Sequence, residues 1–141
     1  MKSLNKQDIT DSIKNYLYPK SEIDFAYIFG SYLQTDYYHD IDIAVYIKNG
    51  FDYKNLNLYP FGYASLLSGE LSKIIKTDKI DVVIMNDAGL LILHRIMNKG
   101  FLLFDRDTFS RIYFENQTRK EYIDAGHLRK IKDIYIKAKI Y

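Results

Sequence analysis

The sequence contains no cysteine, which excludes disulfide scaffolds, thiolate zinc sites and cysteine nucleophiles. It has no apolar run long enough to span a bilayer, and "MKSLNKQDITDSIKNYLYPK" at the N-terminus lacks the apolar core of a secretory signal. These absences predict a soluble, cytoplasmic protein that does not enter a membrane. Charge of one sign is also missing. Twenty Lys+Arg against eighteen Asp+Glu leave +2, too small a surplus to point to nucleic acid. Proline is rare, and no Pro/Gly-rich linker, internal repeat or low-complexity tract divides the chain. Residues 1–141 are therefore read as a single domain, long enough for a proper core.

What is present is a globular composition. At 48% hydrophobic and 27% charged residues, disorder is disfavoured. Fourteen tyrosines and eight phenylalanines supply aromatic area, and tyrosine can bury its ring while its hydroxyl stays wet. Apolar residues Ile9, Ile13, Tyr16 and Leu17 recur at helical spacing until Pro19 stops the helix. "DFAYIFG" reads as a first strand ending at Gly30. "DIDIAVYI" reads as a second, with Ile41, Ile43, Val45 and Ile47 on one face and Asp40, Asp42, Ala44 and Tyr46 on the other.

"ASLLSGELSKIIK" follows as a helix, and "KIDVVIMN" as a short β-branched strand. Asn86 or Asp87 is expected to cap the next helix, which runs through Leu90, Leu93, His94 and Met97 to Gly100 at C′. "FLLFD" fits a fourth strand or an extended link. From about residue 107 to 141 the chain reads as helical, with Gly126 as a bend. The order predicts an α/β (α+β) fold, a small mixed sheet flanked by helices.

The stretch that carries chemistry is "YIFGSYLQTDYYHDIDIAVYI", residues 27–47. A charged side chain is rarely buried unless it is paired or binds a metal, yet Asp40 and Asp42 head an otherwise apolar strand. At i and i+2 they share a face, so they repel each other unless a cation lies between them. Hard oxygen ligands suit Mg²⁺ or Mn²⁺, and Mg²⁺ completes its shell with water and substrate phosphates, which points to a nucleotide. Gly30 and Ser31 stand where a strand ends and a helical turn can begin, so the backbone and a hydroxyl can meet a phosphate there. Asp81 opens a strand expected beside the second. It is placed to join the metal ligands and to draw a proton from an attacking hydroxyl.

Each signal also has a plainer reading. Asp-x-Asp alone often decorates turns or strand edges, and Gly-Ser alone says less. An EF-hand reading of "DYYHDID" fails for want of the central glycine and the terminal glutamate. His39 is read as an incidental loop residue and His94 as a partly buried core histidine. Residues 119–141 carry seven Lys/Arg against three Asp/Glu. This tail is read first as a solvated helical face and second as a docking surface for an acidic protein. Direct nucleic-acid binding is disfavoured because no run of stacking aromatics accompanies the charges.

Taken together, the strand ending in Gly-Ser, the Asp-x-Asp on the next strand and the later Asp81 resemble the DNA polymerase β-like nucleotidyltransferase superfamily. The chain's size, and "IDVVIMNDAGLLILHRIMNKGFLLFDRD", make it similar to minimal nucleotidyltransferase (MNT) antitoxins, the partners of HEPN-domain toxins. The eight residues between Ser31 and Asp40 form a slightly short spacer for that family. The resemblance implies Asp40, Asp42 and Asp81 as metal ligands and catalytic carboxylates, with Gly30 and Ser31 on the triphosphate. It further implies ATP as AMP donor, a tyrosine hydroxyl of the HEPN toxin as acceptor, and a complex between the two proteins. Two other readings stay open: transfer to a small-molecule hydroxyl such as an antibiotic's, and an antitoxin that neutralises its partner by binding alone.

Overall fold

A computed structural model describes residues 5–34 and 40–140. Asn5 caps α1 (Lys6–Leu17), its side chain accepting from the Asp8 N–H at 2.8 Å, and Ile9, Ile13 and Leu17 bury one helical stripe. Strand β1 (Ile23–Phe29) leads through Gly30 into the short α2 (Ser31–Gln34), and β2 (Ile41–Ile47) follows. Next come α3 (Tyr63–Ile75), β3 (Ile80–Ile84) and a 3₁₀ turn at Met85–Asp87. Helix α4 (Leu90–Lys99), strand β4 (Phe101–Asp105) and the long α5 (Thr108–Ile140) complete the chain.

The strands form one mixed sheet in the order β3-β2-β1-β4. β1 runs antiparallel to both of its neighbours, while β2 and β3 are parallel. A parallel pair needs a crossover, and α3 supplies it. "FLLFD" is therefore a true strand, with Phe104 paired to Ala26 and Phe101 to Ile28. The expected alternation along β2 holds. Ile41, Ile43, Val45 and Ile47 pack with α1 and α3, whereas Ala44 and Tyr46 join Phe25, Tyr27, Leu93 and Ile96 beneath α4 and α5. The two clusters bury both faces of β1, which explains its apolar run from Phe25 to Phe29.

Three local expectations are corrected. Asn86 and Asp87 do not cap α4, whose N-cap is Gly89 with no side-chain bond. The Asn86 amide instead clasps the Ile47 backbone, accepting from its N–H at 2.9 Å and donating to its C=O at 2.8 Å. Asp87 accepts from the Tyr53 hydroxyl at 2.7 Å. Gly126 makes no break, because α5 is a single helix through it. Gly100 does cap α4, but in extended rather than left-handed backbone. Glycine is needed there for space: a Cβ would lie 2.3 Å from the Ile96 carbonyl oxygen and 3.3 Å from that of Ile28.

Candidate active site

The site grows from the point where β1 ends. Phe29 pairs with Asp42 across the antiparallel ladder, which brings the next residue, Gly30, against the Asp42 side chain. Gly30 has φ +83°, in the left-handed region, and a Cβ on it would lie 2.4 Å from Asp42 Oδ2. Both facts demand glycine. On the other side of β2, the parallel register sets Asp81 opposite Asp42. Alternation places Asp42 and Asp81 on the α4/α5 face, together with Ala44 and Val83. Asp40 stands exposed just before β2, Asp81 is exposed, and Asp42 is partly buried.

The electrostatics follow from that crowding. Burial, then the charges of Asp81 and Asp40, push the Asp42 carboxyl above the usual aspartate range. The structure therefore draws Gly30, Ser31, Asp40, Asp42 and Asp81 to one end of the sheet. Among the described residues, no three His, Asp or Glu side chains stand close enough to cage a metal ion by themselves. The donor set still fits a magnesium-like ion: hard carboxylate oxygens that repel one another, and a glycine that leaves space beside one of them. Such an ion takes one or two carboxylates and draws its other ligands from water and phosphate. An ion held there would need ionised Asp42, so acidification would weaken such binding at a higher pH than an ordinary aspartate would.

Beside the carboxylates lies a cleft of about 440 Å³ that the sequence reading did not foresee. Gly30 and Ser31 form one wall, and His94, Arg95, Asn98 and Lys99 of α4 form the other. The available signal was spacing: residues four apart share a helix face, here opposite the buried Leu93 and Ile96. His94 is partly buried, as expected, but between helices rather than in the core. Its ring stacks on Tyr122 of α5 with centroids 3.8 Å apart, and Nε2 lies 2.9 Å from the Asn98 amide nitrogen. His39 lies outside the described residues. A second cleft, between α1 and β4, includes none of the three aspartates nor Gly30 and Ser31.

A small mixed sheet with carboxylates at the head of two parallel strands, and a glycine turn against them, is the arrangement of a nucleotidyltransferase. The polymerase beta nucleotidyltransferase family matches residues 11–109, and the chain belongs to that family. No curated protein matches the sequence. Among solved structures, the chain is similar to one in the complex of the tri-AMPylated Shewanella oneidensis HEPN toxin with its MNT antitoxin. They share 22% identity over 93% of this chain and 99% of that one, with a TM-score of 0.67. A toxin–antitoxin complex with AMP-PNP gives 23% identity, 94% and 99% coverage and a TM-score of 0.67. The MntA–HepT toxin–antitoxin complex gives 21%, 92% and 98%, and 0.64. At such identities the likeness shows a common fold.

Proposed function

We propose that this protein is an antitoxin that transfers AMP from ATP to a tyrosine hydroxyl of a cognate HEPN-domain toxin in the cytoplasm. Family membership supports the reaction class, and the fold shared with AMPylated toxin–antitoxin and AMP-PNP complexes supports donor and acceptor. The observation that carries the reading is the convergence of Gly30 and Asp81 on Asp42. Phosphate and metal chemistry need those groups side by side.

In this mechanism Asp40 and Asp42 would hold Mg²⁺ (or Mn²⁺), with Asp81 as a third ligand. An ion held there would supply Lewis-acid polarisation of the α-phosphate and offset charge on the leaving pyrophosphate. The Gly30-Ser31 turn lets phosphate oxygens approach the backbone and the serine hydroxyl. Asp81 orients the acceptor hydroxyl and takes its proton. The new bond forms from that oxygen to the α-phosphorus as the bond to pyrophosphate breaks. Positioning and charge neutralisation supply most of the acceleration.

The test is the intact mass of the partner toxin after co-expression with wild-type protein or with Asp42→Asn. Mass gains of one or more AMP units, present with the wild type alone, are expected. An unmodified toxin held in a tight complex would replace this reading with neutralisation by binding. An unmodified toxin and no complex would redirect the search to small-molecule acceptors.

A further inference from the structure

The α4 wall of the cleft has a composition that the carboxylate site leaves unused. Arg95 and Lys99 are one turn apart on an exposed face, and among the described residues neither makes an ion pair. Among the described residues, no Asp or Glu lines the cleft. Two uncompensated cations therefore look across a narrow space at Gly30 and Ser31. Gly30 in turn touches the Asp42 carboxylate, so carboxylates, glycine turn and basic helix face form one continuous path.

The basic wall is also held in place. Leu93 and Ile96 anchor the underside of α4 in the core. Gly100 lets the end of the helix lie close against the Ile28 carbonyl of β1, two residues before Gly30. The His94–Tyr122 stack ties the same face to α5, and His94 contacts Asn98 one turn further along α4. A helix fixed at both ends presents its cations without first having to order itself.

We propose that Arg95 and Lys99 form the seat for the β- and γ-phosphates of the nucleoside triphosphate, across the cleft from Gly30 and Ser31. This rests on the nucleotidyltransferase reading above and adds the basic half of the triphosphate site. A triphosphate carries more negative charge than one divalent ion offsets, and the arginine fork and lysine ammonium supply the balance. The order of the groups fits as well: a chain of phosphates that begins at the Asp42 end runs past Gly30 and Ser31 before it reaches α4. The site would distinguish a triphosphate from a monophosphate, since AMP lacks the groups that extend to α4.

Calorimetry on the full-length protein with Mg²⁺ decides the matter, using AMP-PNP, AMP and inorganic tripolyphosphate as probes. The proteins are wild type, Arg95→Gln, Lys99→Gln, the double variant and Arg95→Lys. The double variant should bind AMP-PNP about 10- to 100-fold more weakly, in line with the loss of charge-assisted hydrogen bonds. It should lose competition by tripolyphosphate and keep its affinity for AMP. Arg95→Lys should restore part of the AMP-PNP affinity. Both side chains are exposed, so the thermal midpoints should agree with wild type and unfolding is not the cause. Wild-type AMP-PNP affinity in the double variant, or an equal loss for AMP and AMP-PNP, overturns the inference and leaves the nucleotidyltransferase reading standing. Wild-type protein that binds no nucleotide overturns both.

Discussion

At the scale of single residues, Gly30 is the position on which the candidate site is most exposed to damage. Two constraints meet there, a backbone at φ +83° and an Asp42 carboxylate oxygen 2.4 Å from where a Cβ would stand. The first is tolerable in part, because a left-handed residue other than glycine costs about 1–2 kcal/mol. The second is not, since the carboxylate must turn away from the end of β1. Gly30→Ala is therefore expected to lower stability by about 1–2 kcal/mol in urea unfolding. Nucleotidyl transfer should fall by at least ~100-fold, because a misplacement on the order of 1 Å has that effect. An alanine variant with near-normal transfer would show that Asp42 does not work from its observed position.

At the scale of elements, the question is what keeps α5 on the sheet face that carries Asp42. Its first turns are tied down by a compact charged network. Arg111 Nε donates to Asp105 Oδ2 at 2.7 Å, and its Nη1 lies 3.2 Å from Glu115 Oε2. The buried Tyr27 hydroxyl on β1 donates to Glu115. Glu115 is only 9% exposed, so without Arg111 its charge would have little water to turn to. Arg111→Ala should cost about 2–4 kcal/mol at neutral pH. Hydrogen bonding to Arg111 holds the Asp105 carboxyl below its usual range. A carboxyl depressed in the folded state stabilises above its unfolded value of about 3.9 and loses that contribution as pH falls through the folded value. The deficit of Arg111→Ala relative to wild type should accordingly shrink as urea unfolding is repeated from about pH 6 down to about pH 3. A deficit constant across that range would place the cost in lost packing.

At the scale of the whole molecule, the two halves of α5 differ in kind. The first half packs on α4 and β1, whereas residues 127–137 are exposed throughout. That outer segment mixes Leu128, Ile131 and Ile134 with basic residues, so it covers none of the core beneath the sheet. A chain ending at Gly126 should thus unfold within about 1 kcal/mol of the full-length protein and keep its affinity for AMP-PNP. A drop of several degrees in the thermal midpoint would mean that the outer segment does contribute to the fold. Over residues 119–137 the reading of this tail as a helical, largely solvated face agrees with this exposure.

Much of this was legible in the amino-acid sequence. The alternation of β2 assigned Ile41, Ile43, Val45 and Ile47 to one face and Asp42, Ala44 and Tyr46 to the other. That Asp81 lies near Asp42 followed from expecting their strands to be neighbours, while the register that sets the two opposite each other came from the sheet. Periodicity is a local property, so a single segment states which of its side chains share a face. Caps were less legible, because a cap depends on whether its side chain has a better partner elsewhere. Asn86 spends its amide on Ile47, thirty-nine residues away in sequence. Gly126 did not bend α5, since one glycine lowers helix propensity by only about 1 kcal/mol. The basic wall of the cleft was the least legible part. Arg95 and Lys99 read locally as a solvated helix face, and only the strand order, which seats α4 against the end of β1, turns that face toward Gly30 and Ser31. The sequence by itself determined which residues stand together on each element; which faces then meet was decided by the packing of the sheet, because contacts between distant segments depend on strand order and not on any local spacing.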